Sequence, residues 1–372
     1  MNHSYQLHFP DEIVFGPGTL ASLPDQLPSG GKVLLVTGYS AQKNGLLDRL
    51  SELLRDFSPV TVCGIAAEPP LDEADRLIEL GRQHQVTAVV AVGGGSVMDA
   101  AKTAAALIPA GGKVRDYFDG RRKITVRGLF CAALPTTAGT GAEITPNAVF
   151  IEPVTQVKRS IRHRFLVPDL ALVDPELTLS SPPAVTAASG MDALTQAIES
   201  MVSLGANHAT EALAAQAVEL IYRHLSAACA HPDDLAARTA MAEGSMLTAM
   251  AFSHSGLGAV HGIGHPVGSL LHLPHGFTCA VLLVPVMEWN LPAVRDKFTR
   301  LAQLCGHDSA EDFIAGVRRL RDAIGIPGHF HDAGLKPEHF PFVIANCRSG
   351  SMKANPRPMT DADVVTILQK LL

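Results

Sequence analysis

The sequence predicts an α/β domain built on a parallel sheet, followed by an all-α domain. Three observations carry this. Through the first half, short apolar runs of strand length alternate with helical segments, the pattern of βαβ units. Beyond about residue 180 such runs nearly vanish and long helical patterns replace them. At 372 residues, the chain also exceeds the size at which a single hydrophobic core stops growing. The expected division is residues 1–180 and 181–372.

The elements follow in order. KVLLV (Lys32 to Val36) reads as a buried strand, with a helix over roughly Ser40 to Asp56. PVTVCGI (Pro59 to Ile65) is a second strand, and Asp72 to Gln85 a second helix. VTAVVAV (Val86 to Val92) is a third strand, ending in Gly93-Gly94-Gly95-Ser96, and the alanine-rich Val97 to Leu107 is helical. Unbroken apolar runs of this length suit strands covered on both faces. SSPPAVT (Ser180 to Thr186), with two prolines, marks the boundary. Past it, Leu213, Ala217, Leu220, Ile221 and Leu225 fall on one helical face.

Composition excludes several classes. Hydrophobic residues make up 47% and charged residues 18%, a globular balance. The formal net charge is −6 with the signs interspersed, so nucleic acid is not expected as a partner. The longest apolar runs, such as Ala280 to Met287, are too short to cross a bilayer, and MNHSYQLHFPDE lacks the features of a signal peptide. Six cysteines without a CxxC pair fit reduced thiols in the cytoplasm.

Two segments suit a phosphate or nucleotide. Gly93-Gly94-Gly95-Ser96 closes a strand and opens a helix, where bare N–H groups and a partial positive charge face an anion. The same residues also make an ordinary strand–helix turn, and the GxGxxG fingerprint is absent. PTTAGTGAE (Pro135 to Glu143) follows the apolar run LFCAAL and offers hydroxyls at a strand exit, although such residues favour turns in general.

The densest chemistry lies in HGIGHPVGSLLHLPH (His261 to His275), which holds His261, His265, His272 and His275. Neutral imidazole is the commonest metal ligand and also a proton shuttle near neutral pH. His261 and His265 share a helix face: both could bind one metal, or one could bind while the other moves a proton. Asp192 and Gln196 share another face, the first an anionic oxygen donor, the second only a neutral carbonyl oxygen. Any one of these residues alone is usually an ordinary polar side chain, but the set together points to a metal. His272 and His254 stay outside it.

GGGSVMDAAK, PTTAGTGAEIT, GMDALTQAIES, VHGIGHPVGSLLHLPHG and NPRPMTDADV together resemble the iron-containing (group III) alcohol dehydrogenases, from FGPG near residue 15 to the last helix. The resemblance implies an N-terminal dinucleotide-binding domain and a C-terminal metal and substrate domain. It implies NAD or NADP, Fe²⁺ or another divalent metal such as Zn²⁺, and a small alcohol or aldehyde as substrate. It further implies a cytoplasmic homodimer or larger assembly with no membrane partner. By motif, the metal ligands would be Asp192, Gln196, His261 and His275, with His265 as the catalytic proton relay. Gly94, Gly95 and Ser96 match pyrophosphate contacts, Asp99, Thr136, Thr137 and Thr140 match positions around the cofactor, and Lys158 matches a basic residue at its edge.

Two positions depart from the family pattern. Gln196 stands where the family usually has His, and an amide oxygen is a weaker donor, so metal preference is expected to shift. Gly38 stands where NAD-preferring relatives often carry Asp, which with Lys43 nearby admits NADP. The implied reaction exchanges a hydride between nicotinamide and a small alcohol or aldehyde, with His265 passing the proton. Other readings are a reductase of a phosphonate-bearing aldehyde, served by the basic run Lys158, Arg159, Arg162 and Arg164, a sugar-phosphate cyclising lyase using NAD, and an inert nucleotide-binding relative.

Overall fold

A computed structural model describes residues 4–67, 69–152 and 157–372. Contacts divide the chain into two compact units. One comprises residues 8–137 with 141–180; the other takes in the first residues through Leu7, residues 138–140, and 181–372.

Among the described residues, the first unit is an α/β layer structure. Its strands are β1 (Glu12–Phe15), β2 (Val33–Gly38), β3 (Val60–Ile65), β4 (Ala88–Gly93), β5 (Phe130–Pro135), β6 (Asn147–Glu152), β7 (Val157–Arg162) and β8 (Leu170–Val173). Six of them form one sheet in the order β1-β8-β5-β4-β2-β3, and every pairing in it is parallel. Strands β6 and β7 form a separate antiparallel pair. The expected helix over Ser40 to Asp56 is two pieces, α1 (Tyr39–Lys43) and α2 (Leu46–Leu53), because Gly45 adopts a left-handed φ of 77° between them. Helices α3 (Leu71–His84) and α4 (Gly95–Leu107) follow β3 and β4.

The sheet has a core on each face. Leu34, Val36, Val89 and Ala91 pack with Ala100, Ala101 and Ala104 of α4, while Val33, Leu35, Val90 and Val92 pack with Leu50 and Leu54. Successive strand residues therefore alternate between two cores, and both sets must be apolar. The alanines let α4 lie close to the sheet.

The second unit contains no strand among its described residues. Its main helices are α5 (Pro183–Val202), α6 (His208–Ala230), α7 (Leu235–Ser255), α8 (Ala259–Leu271), α9 (His275–Cys305) and α10 (Ala310–Ala323). Proline at its first position starts α5, a place where the missing N–H costs nothing. Asn207 caps α6 by accepting from Ala209 and Thr210 N–H. The expected face of α6 is its core face: Ala217, Ile221 and Leu225 are fully buried. The run Ala280 to Met287 belongs to a helix of 31 residues that is long and apolar enough to cross a membrane. The whole of that run apart from the half-buried Pro285 is packed into the helical core, and Asn290 is buried further along the same helix.

Candidate active site

Three helices of the second unit bring the metal-type residues together. Asp192 and Gln196 occupy successive turns of α5, His261 and His265 successive turns of α8, and His275 opens α9. The join between α8 and α9 is tight. His272 ends α8 in the left-handed region at φ 53°, and Pro274 starts α9. Gly276 lets the start of α9 approach α5, since a Cβ there would lie 2.1 Å from the Ala188 carbonyl oxygen.

Asp192 Oδ1 lies 3.5 Å from His261 Nε2 and 3.7 Å from His275 Nε2. Neither contact is a formed hydrogen bond, and both Asp192 Oδ1 and Gln196 Oε1 are buried without a hydrogen-bond partner. Buried oxygens left in this way are costly unless something positive meets them. The imidazole of His265 stacks on that of His275, with centroids 5.3 Å apart, and stands edge-on to His261 at 5.9 Å. The structure thus brings Asp192, Gln196, His261, His265 and His275 into the same helical unit, with close contacts linking Asp192 and the three histidines. His254, by contrast, bonds to the Met250 carbonyl of its own helix.

Two further residues belong to the cluster. Glu199, one turn beyond Gln196 on α5, accepts from His261 Nδ1 at 2.6 Å and from the Val260 N–H at 2.6 Å. The first bond fixes the imidazole so that Nε2 points to Asp192, the orientation a ligating histidine needs. The second caps α8, whose N-cap residue is Gly258; a Cβ there would lie 2.8 Å from Glu199 Oε1. Cys279, fully buried, lies one turn beyond His275, with its Sγ 3.9 Å from His261 Nε2 and 3.7 Å from His275 Nε2. Asp192, His261, His275 and Cys279 each offer a donor atom within 4.8 Å of the others. Spacing held a signal for both: Glu199 follows Gln196 by three positions, and Cys279 follows His275 by four.

Charge in the cluster is coupled. Burial works against a proton on His261, but Cys279, Glu199 and Asp192 outweigh it and hold His261 well above the ordinary imidazole range. Burial pushes the Cys279 thiol up to about 11. The donor set of carboxylate, imidazoles, amide oxygen and sulfur, with its unmet oxygens, fits a divalent metal.

The NPRP tail supports the same helix. Asn355 Oδ1 accepts from the Ala259 N–H at 3.1 Å and exchanges a reciprocal pair of bonds with Asn290. Arg357 lies 3.7 Å over the Trp289 ring and donates to the Trp289 carbonyl.

In the α/β unit, Gly94 is the N-cap of α4 and makes no side-chain cap bond. A Cβ at Gly94 would come no closer than 3.6 Å to another residue, so its bareness is not forced by packing and leaves backbone open to an anion. Gly95 and Ser96 form the first turn. Asp99 sits one turn further, accepting from the Val149 N–H at 2.9 Å and pairing with Lys102 at 3.3 Å. Thr136 and Thr137 follow β5 and are half-buried, while Thr140 is exposed. Gly38 ends β2 and is the N-cap of α1, with Lys43 exposed at the far end of that helix. The backbone of Lys158 pairs with Ile151 in the β6–β7 ribbon, but its side chain lies outside the described residues. Arg159 lies over Phe118 and Arg164 over Phe165.

Residues 10–175 match the family model for iron-containing alcohol dehydrogenase, and residues 186–372 match the model for the C-terminal part of the same family. The chain belongs to the iron-containing alcohol dehydrogenase family. It is 36% identical to 1,3-propanediol dehydrogenase of Klebsiella pneumoniae, over 97% of each chain. The crystal structure of a 1,3-propanediol oxidoreductase matches it with a TM-score of 0.95 at 34% identity, over 100% of both chains. A sulfoacetaldehyde reductase from Bifidobacterium kashiwanohense, solved with NAD⁺, matches with a TM-score of 0.94 at 29% identity, covering 100% of this chain and 99% of that one. The chain is an oxidoreductase of the alcohol dehydrogenase type, with a group of residues that could hold a metal ion.

Proposed function

We propose that this alcohol dehydrogenase interconverts a short-chain primary alcohol, of the size of a three-carbon diol, and its aldehyde, with the metal held by the cluster in the helical unit. One observation carries the metal assignment: Asp192 Oδ1 and Gln196 Oε1 are buried without a hydrogen-bond partner, and two imidazole nitrogens lie 3.5 and 3.7 Å from the Asp192 oxygen. When bound, the metal supplies Lewis acidity at the substrate oxygen and the nicotinamide supplies or takes the hydride.

The chain's own residues do the rest. Asp192, His261 and His275 hold the metal, with Gln196 beside them. Glu199 keeps the His261 ring turned and in the tautomer that leaves Nε2 open to the cluster. His265, half-buried and stacked on His275, takes or gives the proton at an imidazole nitrogen. Gly94, Gly95 and Ser96 receive the pyrophosphate at the N-terminus of α4, and Asp99 ties that helix to β6 by accepting from the Val149 N–H. Thr136, Thr137 and Thr140 offer hydroxyls to the ribose or amide, and Lys158 a charge at the cofactor's edge. Gly38 admits NADP as well as NAD. The enzyme works in the cytoplasm as a homodimer or larger assembly; its six cysteines are all free thiols, which suits a reducing compartment.

The test is to load the purified chain with Fe²⁺, Zn²⁺, Mn²⁺ or Ni²⁺ and follow nicotinamide absorbance with short alcohols and aldehydes. NAD(H) and NADP(H) are assayed separately. Turnover with at least one metal is expected, and no turnover under any of them would overturn the proposal.

A further inference from the structure

Cys279 is the one member of the cluster that the proposed dehydrogenase reaction does not use. It is fully buried. A buried cysteine is ordinarily a small apolar filler; Cys279 does belong to the helical core, but its sulfur also faces two imidazoles. Its Sγ lies 3.9 Å from His261 Nε2 and 3.7 Å from His275 Nε2, and those two nitrogens lie 3.5 and 3.7 Å from Asp192 Oδ1.

These distances have a geometric meaning. Four donors placed tetrahedrally at bond lengths of about 2.0–2.3 Å are separated by about 3.3–3.8 Å along each edge. Four edges of the Asp192–His261–His275–Cys279 figure measure 3.5, 3.7, 3.7 and 3.9 Å. The two nitrogen–oxygen separations are long for hydrogen bonds, the two sulfur contacts are as long as thiol–imidazole hydrogen bonds become, and all four match atoms sharing one small cation. Helix periodicity explains the arrangement: His275 and Cys279 are one turn apart on α9 and present their side chains on the same face.

We propose that Cys279 is a sulfur ligand of the metal, completing a set with Asp192, His261 and His275, and that Gln196 is not the fourth ligand. This rests on the metal assignment made above and specifies its donor set. On binding, the thiol proton leaves to solvent and a sulfur lone pair forms the bond to the cation, so uptake releases a proton. A thiolate is a softer donor than an amide oxygen and shifts preference toward Zn²⁺ relative to an all-nitrogen-and-oxygen site.

The experiment reads the donor atoms and not turnover. The full chain is stripped with chelator and loaded with one equivalent of Zn²⁺ for X-ray absorption, or of Co²⁺ for optical absorption. The wild type is expected to show a zinc–sulfur distance of about 2.3 Å and a near-ultraviolet thiolate-to-cobalt band. Gln196→Ala should keep both, and Cys279→Ser should lose both. Bound zinc with only nitrogen and oxygen neighbours, or a cobalt band that survives in Cys279→Ser, would overturn the sulfur assignment and leave the metal assignment standing. A wild-type chain that takes up no metal would overturn both. The wild-type zinc spectrum decides the matter even if Cys279→Ser fails to fold.

Discussion

Each unit of the chain buries a polar cluster, and the two are finished differently. In the α/β unit the cation is built in. Lys102, 2% exposed, donates to the Ala142 carbonyl at 2.9 Å, to the Thr145 carbonyl at 3.2 Å and to Thr145 Oγ1 at 3.1 Å, and pairs with Asp99 at 3.3 Å. Burial lowers its pKa, and Asp99 works against that shift. In the helical unit Asp192 Oδ1 and Gln196 Oε1 have no hydrogen-bond partner, and imidazole nitrogens and a thiol lie close to the Asp192 oxygen. The first cluster carries its cation in the polypeptide, and the second is the site proposed above for a metal. The two differ in how closely their groups are met: Lys102 has three hydrogen bonds and an ion pair, whereas Asp192 Oδ1 has two contacts of 3.5 and 3.7 Å.

The largest expected effect separates the two clusters by size. Lys102→Met keeps the volume but removes the cation from its acceptors, and should cost about 3–5 kcal/mol of stability. Asp192→Asn should cost the metal-free chain much less, because its only close partners are His261 Nε2 and His275 Nε2 at 3.5 and 3.7 Å, contacts longer than those of Lys102. Urea unfolding of both variants after chelation checks this; equal losses would erase the distinction.

Glu199→Gln should come next. The amide still accepts from Val260, but its hold on the His261 ring is weaker and uncharged. Metal affinity should fall about 10–100-fold, as measured by competition with a chelating dye. No change would mean that the 2.6 Å bond to His261 serves only the packing of α8.

A pH effect tests the cluster around Lys102. Burial raises Glu143 to about 7 from the usual carboxylate value of 4.5, against smaller opposing effects from its own backbone and Lys102. The folded chain therefore holds a proton on Glu143 that the unfolded chain has lost. Its contribution is present below about pH 4.5 and falls as pH rises toward 7 and beyond. Glu143→Gln should flatten the decline in stability across that window, as read from urea midpoints at a series of pH values. An unchanged slope would assign the decline to other groups.

The smallest expected effect concerns cofactor choice. Gly38 has φ −84°, which any residue adopts, and a Cβ there would meet Val97 at 3.4 Å, a contact the side chain tolerates. Gly38→Asp should fold normally and weaken NADPH more than NADH, since a carboxylate repels a 2′-phosphate. Equal weakening of both would count against a role for this position in the choice.

Much of this could be read along the chain because it depends on local period. The strands after Lys32, Pro59 and Val86 are largely apolar runs, and β2, β3 and β4 lie on them with ends shifted by a residue or two. Asp192 and Gln196, four apart, do share a face of α5. What escaped was non-local or depended on a partner. Strand β1 is only four residues long and pairs with β8 from the far end of its unit. In the β6–β7 ribbon every second residue of β6 is buried, and the residues between the two strands carry no strong turn signal. Glu199 looks like an ordinary helix acid until α8 arrives to place His261 Nδ1 against it. Cys279 looks like core because its neighbours in sequence are core, and only the folding of α8 onto α9 shows that its sulfur faces two imidazoles.

The helical cluster is proposed above to bind a metal cation. The most direct measurement is the melting temperature of the chelated full chain during titration with Zn²⁺ or Fe²⁺. A ligand that binds only the folded state raises that temperature in proportion to the logarithm of its excess over Kd. Metal binding by the cluster gives a rise in wild type that continues with the logarithm of the excess once metal exceeds one per chain, persists in Lys102→Met, and disappears in His261→Ala. No rise in wild type, or the same rise in His261→Ala, would contradict it.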